Sequence, residues 1–358
     1  METHSLDSAD RQLLHALVIA PRAPFTVLAD VIGVSDQTVA RRYRRLAENA
    51  GLRVYGMVNG ERAGWVDWMV RLQVTPGSAD AIAEALARRP DTRWVRLFSG
   101  GTEIVCTLQA RTSQQRDELL LRGLPGSRRV VQITAHSILH VFSPVQWAGL
   151  ASRLSDAQLA RLRASGATGP DPDDPLRKAV AGAAGNSDGA SLHPEEARPE
   201  ETPRPEEALR PEDDLLLSEL ATDGRASHAA LATATHWHES TVRRRIEELQ
   251  RQGLLYFDVD INDAFLGMRA GAMLWIAVAP GHLEAAGQAV AAHPEVPFAA
   301  ATTGPTNLVV SAVFRDTRHL YEYLTTRLTG LPGIQTVETL PIIGTVKRTG
   351  VAMPRFTR

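Results

Sequence analysis

The chain has 358 residues, 44% of them hydrophobic, which is enough for two or three packed domains. A net charge of −2 means that any nucleic-acid surface must be a local patch. A single cysteine, Cys106, excludes an intramolecular disulfide and a cysteine-based zinc site, and suits a reducing compartment. With no basic-then-apolar leader and no run of ~18 apolar residues, the expectation is a soluble, cytoplasmic chain without a membrane partner.

Residues 6–20 are expected to form a first helix, because Leu6, Asp10, Leu13, Leu14 and Leu17 follow helical spacing and Pro21 ends it. A second helix over about 25–32 buries Val27, Leu28 and Val31, and Gly33 makes the turn after it. The next stretch, 34–46, reads as a third helix capped by Ser35, with Asp36 beside the positive end of its dipole. Val39, Tyr43 and Leu46 recur at i, i+4 and i+7, so they form the buried stripe. The other face carries Gln37, Arg41 and Arg44, flanked by Thr38 and Arg45, and Arg42 is counted with them as a DNA contact. Amide and guanidinium groups on an exposed helix suit adenine, guanine and phosphate. Three helices with a glycine turn before the last make a helix-turn-helix over 1–60, and 53–59 reads as a wing or connecting strand.

From residue 66 the period changes to that of strands. Strands are expected at 68–75, 93–98, 103–109 and 130–142, with helices at 78–89 and 113–122. This β-α-β-β-α-β order over 65–143 is the ferredoxin-like arrangement. Cys106 and His136 read as ordinary strand positions. Residues 144–165 carry an amphipathic pattern with a Ser155/Gln158 capping box. Residues 166–208 are rich in Pro, Gly, Ala, Asp and Glu and read as a disordered acidic linker, so 144–208 is a helix followed by a linker. Its reach would be roughly 35–40 Å.

The pattern then repeats. Trp237–Leu249 reproduces the arginine-rich helix, aligning Thr38-Val39 with Thr241-Val242 and Arg41-Arg42 with Arg244-Arg245. A second helix-turn-helix is expected at 209–262 and a second βαββαβ unit at 268–348. Its exposed face would present Ser240, Thr241, Arg244 and Arg245. The two copies differ in charge: 209–260 holds 10 acidic and 6 basic residues, and 1–60 holds 6 and 7. Carboxylates oppose a phosphate backbone, so the first copy should dominate DNA contact.

A helix-turn-helix followed by a βαββαβ unit resembles the leucine-responsive regulator/AsnC (Lrp/AsnC) family of transcription factors, over about 6–142 and again over 209–347. Ser35–Arg42 is similar to that family's recognition helix. Ser99-Gly100-Gly101-Thr102-Glu103 and Thr303-Gly304-Pro305-Thr306-Asn307 resemble its Thr-Gly-x-x-Asp turn, and Leu-Pro-Gly precedes the last strand in both copies. The resemblance implies an α+β chain that binds double-stranded DNA and assembles as a homo-oligomer through its α/β units. It also implies a small effector, an amino acid or relative, held near Ser99, Gly100, Thr102 and Glu103 and near Thr303, Gly304, Thr306 and Asn307. With two units in one chain, the two α/β units should pair within the chain.

No catalytic constellation, cofactor fingerprint or metal set is present in the sequence, so the expectation is a regulator and not an enzyme. His236-Trp237-His238 lacks a third ligand and reads as a turn around a tryptophan. The enzyme alternative shares the fold: haem-pathway decarboxylases of this type carry a His-x-Tyr-Asn motif, and the matching stretches 65–75 and 271–279 contain no histidine. A sensor acting on a protein partner is the other alternative, and the exposed arginines argue against it.

Overall fold

The computed structural model describes residues 6–60, 62–123, 128–142, 153–165 and 209–353. The linker expected at 166–208, the Leu-Pro-Gly loop of the first copy and residues 144–152 lie outside the described residues.

The first helix-turn-helix comprises α1 (Ser8–Ile19), α2 (Phe25–Ile32) and α3 (Asp36–Ala50). Asp7 and Asp10 form a capping box at the start of α1. Gly33 takes the left-handed conformation that ends α2, and Gly51 does the same for α3. After β1 (Arg53–Val58), β2 (Val66–Val74), α4 (Ala79–Ala87), β3 (Thr92–Phe98), β4 (Glu103–Ala110), α5 (Ser113–Asp117) and β5 (Val130–Val141) form the first α/β unit. Helix α6 (Asp156–Ala164) follows. The second copy runs through α7 (Asp213–Thr222), α8 (His228–Thr235), α9 (Glu239–Arg251) and β6 (Leu255–Asp260). It continues with β7 (Ala270–Val278), α10 (Leu283–Ala291), β8 (Phe298–Thr302), β9 (Leu308–Phe314), α11 (Thr317–Glu322) and β10 (Ile334–Arg348). Strand β11 (Val351–Ala352) turns back along the end of β10.

The strand that follows each helix-turn-helix is not a wing of its own unit. β1 and β6 pair antiparallel with each other, and both sets of helices close over one shared core. Tyr55 faces Asp258, its own counterpart 203 residues later, so the local two-fold relation passes through this pair. Two arginines repeat the relation. Arg225 donates to the carbonyls of Pro21 (2.5 Å) and Ala23 (2.8 Å), while Arg22 donates to those of Gly224 and Ala226. Helix α6 belongs to this body as well. Leu162 is buried in its core, Gln158 donates to the Val31 carbonyl at 2.8 Å, and His15 Nδ1 accepts the backbone N–H groups of Arg153 and Leu154. Residues 153–165 therefore cover the first helix-turn-helix, with the expected Ser155/Gln158 capping box at the start of α6.

Each α/β unit has its strands in the ferredoxin-like order, second-third-first-fourth. The final strands are longer than their own sheets need. The end of β5 leaves β2 and pairs with β8, and the end of β10 leaves β7 and pairs with β3. Eight strands thus close into a ring within one chain. Val70, Leu72 and Val74 face the helices of the first unit, and Ala272, Leu274, Ile276 and Val278 face those of the second. The alternate residues point into the ring, which Met69, Phe98, Val105, Met273, Trp275, Val309 and Leu340 fill.

Candidate nucleic-acid interface and ligand pocket

Helix α3 buries Val39 and Leu46, and Tyr43 stacks on Phe25 with ring centroids 5.4 Å apart. Ser35 Oγ accepts the Thr38 N–H at 3.2 Å and lies 2.8 Å from the Thr38 hydroxyl, so Thr38 takes part in the cap. Gln37, Arg41 and Arg44 are exposed. Their side chains face solvent on one side of the helix, as an amphipathic third helix requires.

Arg42 was expected on that same face and turns away from it, a correction of the sequence reading, whereas Arg45 is exposed as expected while also reaching back to α1. Asp10 is 1% exposed, and a buried carboxylate needs compensating partners. Arg42 supplies one at 2.8 Å while also bonding Asp7 at 2.6 Å, and Arg45 reaches Asp10 at 2.6 Å. These arginines tie α3 to α1. The second copy does this more completely: Arg245 is 5% exposed, grips Asp213 at 2.6 and 2.8 Å and pairs with Glu248 at 2.8 Å. Arg245 is thus a clamp and not a DNA contact. An acidic residue on the apolar stripe of α1 was the sequence signal for this clamp.

On α9, Ser240 and Arg244 are exposed as expected, and Thr241 is half-buried. Sequence reasoning missed Arg243, which is also exposed and stands where the first copy has Ala40. Glu247 is exposed on the same helix, and His238 caps it without a side-chain hydrogen bond.

The glycine turns also differ from expectation. Ser99, Gly100 and Gly101 all have positive φ. Thr102 donates to the Ser99 carbonyl at 2.8 Å, and Ser99 donates to Glu103 at 3.1 Å. Glu103 is buried and paired with Arg71. In the second copy, Asn307 bonds the backbone N–H and carbonyl of Val278 at 2.8 and 2.9 Å. The Thr303 N–H donates to the Ser137 carbonyl, and Thr303 Oγ1 accepts the Ser137 N–H, both at 3.0 Å. A Cβ on Gly304 would stand 2.4 Å from the His136 ring. Glu103 and Asn307, expected to hold an effector, are engaged within the protein.

What the turns do border is a cavity of about 250 Å³ where the two α/β units meet. Arg71, Gln73, Gln132, Thr134 and His136 come from the first unit, and Trp275, Pro305, Thr306 and Glu338 from the second. Arg71 bonds Glu338 through both terminal nitrogens, at 2.6 and 2.7 Å, and its guanidinium lies 5.6 Å from the Trp275 ring centre. Its bond to Glu338 comes first among the causes that raise the Arg71 pKa, and the same bond lowers that of Glu338. His136 Nδ1 is 2.6 Å from the Thr303 carbonyl, and its ring packs on Trp275 with centroids 5.5 Å apart. Of the expected effector residues, only Thr306 lines this cavity. An arginine set between Val70 and Leu72 of β2 was the signal that pointed to it. Cys106 is buried, and burial pushes its thiol up to about 12, so it is inert.

Comparison with known proteins agrees with this layout. The model of the AsnC-type helix-turn-helix domain matches residues 6–47 and 213–250, and that of the Lrp/AsnC ligand-binding domain matches 271–352. An uncharacterised HTH-type transcriptional regulator of Pyrococcus abyssi is 29% identical over 141 residues, covering 39% of this chain and 89% of that protein. The HTH-type transcriptional regulator FL11 of Pyrococcus furiosus is 24% identical over 138 residues, covering 37% and 91%. The crystal structure of the siroheme decarboxylase NirDL superposes with a TM-score of 0.55 at 13% identity, covering 97% of this chain and 94% of that one. At that identity the likeness concerns the fold alone.

Proposed function

The chain belongs to the Lrp/AsnC family, two of whose units it carries fused end to end, and we propose that it is a cytoplasmic transcriptional regulator in which one chain does the work of a dimer. The observation that carries this reading is α3: Gln37, Arg41 and Arg44 stand exposed on the third helix of a helix-turn-helix. The second helix-turn-helix adds Ser240, Arg243 and Arg244 but sets Glu247 beside them, so the first copy dominates affinity. The target is double-stranded DNA with unequal half-sites. The α/β units sense a small metabolite, an amino acid or a relative, and join chains into a homo-oligomer. No helix among the described residues is long and apolar enough to cross a membrane.

Mobility shift over a salt series tests this. Arg41→Ala with Arg44→Ala should weaken binding and flatten the dependence of log K on log salt by ~0.9 for each phosphate that is no longer neutralised. Arg244→Ala should cost less. Equal losses, or none from the double variant, would refute the asymmetry.

The decarboxylase reading is favoured by one observation, the fold likeness along nearly the whole chain. Against it, strands β2 and β7 contain no histidine, and the shared cavity is smaller than the about 300–1,000 Å³ that drug-sized ligands fill. A visible absorbance band after incubation with a tetrapyrrole would favour the enzyme.

A further inference from the structure

We propose that the second helix-turn-helix seats one phosphate of the DNA backbone in a cavity between the start of α7 and α9, held by Arg210 and Arg244 and completed by Thr241 and Trp237. This rests on the reading of the helix-turn-helix units as DNA-binding. It adds Arg210 and Trp237 to the interface and gives the second copy a phosphate contact that the first copy is not built to make.

Arg210, Trp237, Thr241 and Arg244 line one cavity of about 290 Å³. Each has a counterpart at the spacing that relates Thr241 to Thr38. Three replacements add or release a hydrogen-bond donor at this one place. Arg210 stands where the first copy has Asp7. Trp237 replaces Val34 and brings an indole N–H, which can only donate. His238 replaces Ser35. In the first copy, Ser35 Oγ lies 2.8 Å from the Thr38 hydroxyl and engages it. His238 makes no side-chain bond at the start of α9, and the Thr241 hydroxyl has no partner among the described residues.

The clamp between α7 and α9 is arranged so that Arg210 is left over. In the first copy two arginines, Arg42 and Arg45, hold the two carboxylates Asp7 and Asp10. In the second copy Arg245 alone holds both Asp213 and Glu248. The pair Asp7 and Arg45 has thus exchanged signs to become Arg210 and Glu248. The Glu248 carboxyl is held below its usual range, first by its bond to Arg245 and more weakly by the charge of Arg210, so Arg210 stands close to the clamp. Arg210 and Arg244 are both exposed, and neither has an ion-pair partner among the described residues. Asp213 and Glu248 are already bonded, so what meets a ligand is two guanidinium groups, a hydroxyl and an indole N–H. Glu212 is the one opposing carboxylate; it is exposed, so solvent and salt screen it. A phosphodiester offers acceptors and no donor, which suits this set, and charge assistance strengthens each guanidinium bond. Arg244 lies on the exposed face of α9, so DNA docked on that face brings its backbone to the cavity.

Mobility shift of the full chain on two duplexes of unrelated sequence, over a salt series, tests the contact. Arg210→Gln removes the charge from an exposed side chain, while the backbone N–H of residue 210 keeps its 2.8 Å bond to Asp213. It should weaken binding about fivefold, by the same factor on both duplexes, and lower the slope of log K against log salt by ~0.9. Arg210→Lys keeps the charge and should restore most of that slope. His238→Ser recreates the bond that engages the hydroxyl in the first copy. It should raise thermal stability, because serine caps a helix well, and yet weaken DNA binding. Calorimetry with inorganic phosphate separates the two sources of this chemistry: saturation that Arg210→Gln abolishes, with DNA binding unaffected, assigns the cavity to a free anion and overturns the proposal. An unchanged salt slope in Arg210→Gln, while Arg41→Ala with Arg44→Ala still weakens binding, overturns this contact alone. A wild-type chain that binds neither duplex at low salt overturns the regulator reading and this contact with it.

Discussion

Arginines at neighbouring positions of one helix have opposite roles. Arg41 and Arg44 project to solvent, whereas Arg42 turns inward to Asp10 because α1 presents a buried carboxylate there. In the second copy the pair Arg245–Asp213 is nearly solvent-free. Removing one member of such a pair strands the other, which costs about 3–5 kcal/mol. Arg245→Ala should therefore lower unfolding stability by that order in urea titration, while Arg244→Ala, on the exposed face, should change it by less than ~0.5 kcal/mol. Equal effects would show that the clamp is not what holds α9 to α7. His15 gives a pH signature. Its Nδ1 accepts two backbone N–H groups, so the bonded form is the neutral one, and burial lowers its pKa from the ordinary value of 6.5. A depressed histidine contributes stability that is complete above 6.5 and lost as pH falls through the folded value. Hydrogen exchange over 153–165 should accelerate as pH drops below 6.5, after correction for intrinsic exchange rates. His15→Asn, which keeps an acceptor, should flatten that response.

At the scale of elements, the two crossing strands hold the α/β units together. β5 carries Phe142 into the core of the second unit, and β10 carries Val346 against that of the first. The receiving helices match their guests. A Cβ on Gly287 of α10 would lie 2.3 Å from the Phe142 ring, whereas the counterpart on α4 is Ala83, in the same core as Val346. Gly287→Ala should destabilise by ~1–3 kcal/mol through overpacking. Combining it with Phe142→Leu should restore part of the loss, and strictly additive effects would show that the two residues do not meet. The β1–β6 ribbon is matched in the same way. Two identical residues at its centre would face each other as like with like, but Tyr55 donates to Asp258 at 2.9 Å. Burial raises the Asp258 carboxyl to about 6. Tyr55→Phe removes the donor that favours the charged form, so it should cost more stability at pH 8 than at pH 5.

Across the whole molecule, the two helix-turn-helix units and the two α/β units are each joined within one chain. The ribbon joins the helix-turn-helix units, and the ring joins the α/β units. Crosslinking with mass spectrometry at low protein concentration should link β5 to β8 and β10 to β3 within single chains. Links that appear only in species of two chains would mean that the units exchange partners. The bound operator should be an imperfect palindrome, because its halves meet α3 and α9, whose exposed faces differ at Gln37/Ser240 and Arg44/Glu247.

How much of this was legible follows from the range of each interaction. Helical spacing in α1 to α3, the Ser35 cap, the glycine turns and the strand alternation are set by neighbours a few residues apart, so the sequence alone determined both the element order and the duplication. The repeat also disclosed that the copies had diverged, and the exposed face of α3 was readable from its period. The facing of Arg42 and Arg245 was not, because an arginine goes to whichever partner the packing of helices brings near, and that partner lies 32 residues away. The cavity was beyond reach for the same reason. Arg71, Trp275 and Glu338 are separated by up to 267 residues and meet only because β5 and β10 overrun their own sheets to close the ring. Period and propensity define what each segment is; which chemistry-bearing side chains become neighbours depends on long-range strand pairing, and only the tertiary structure decided that.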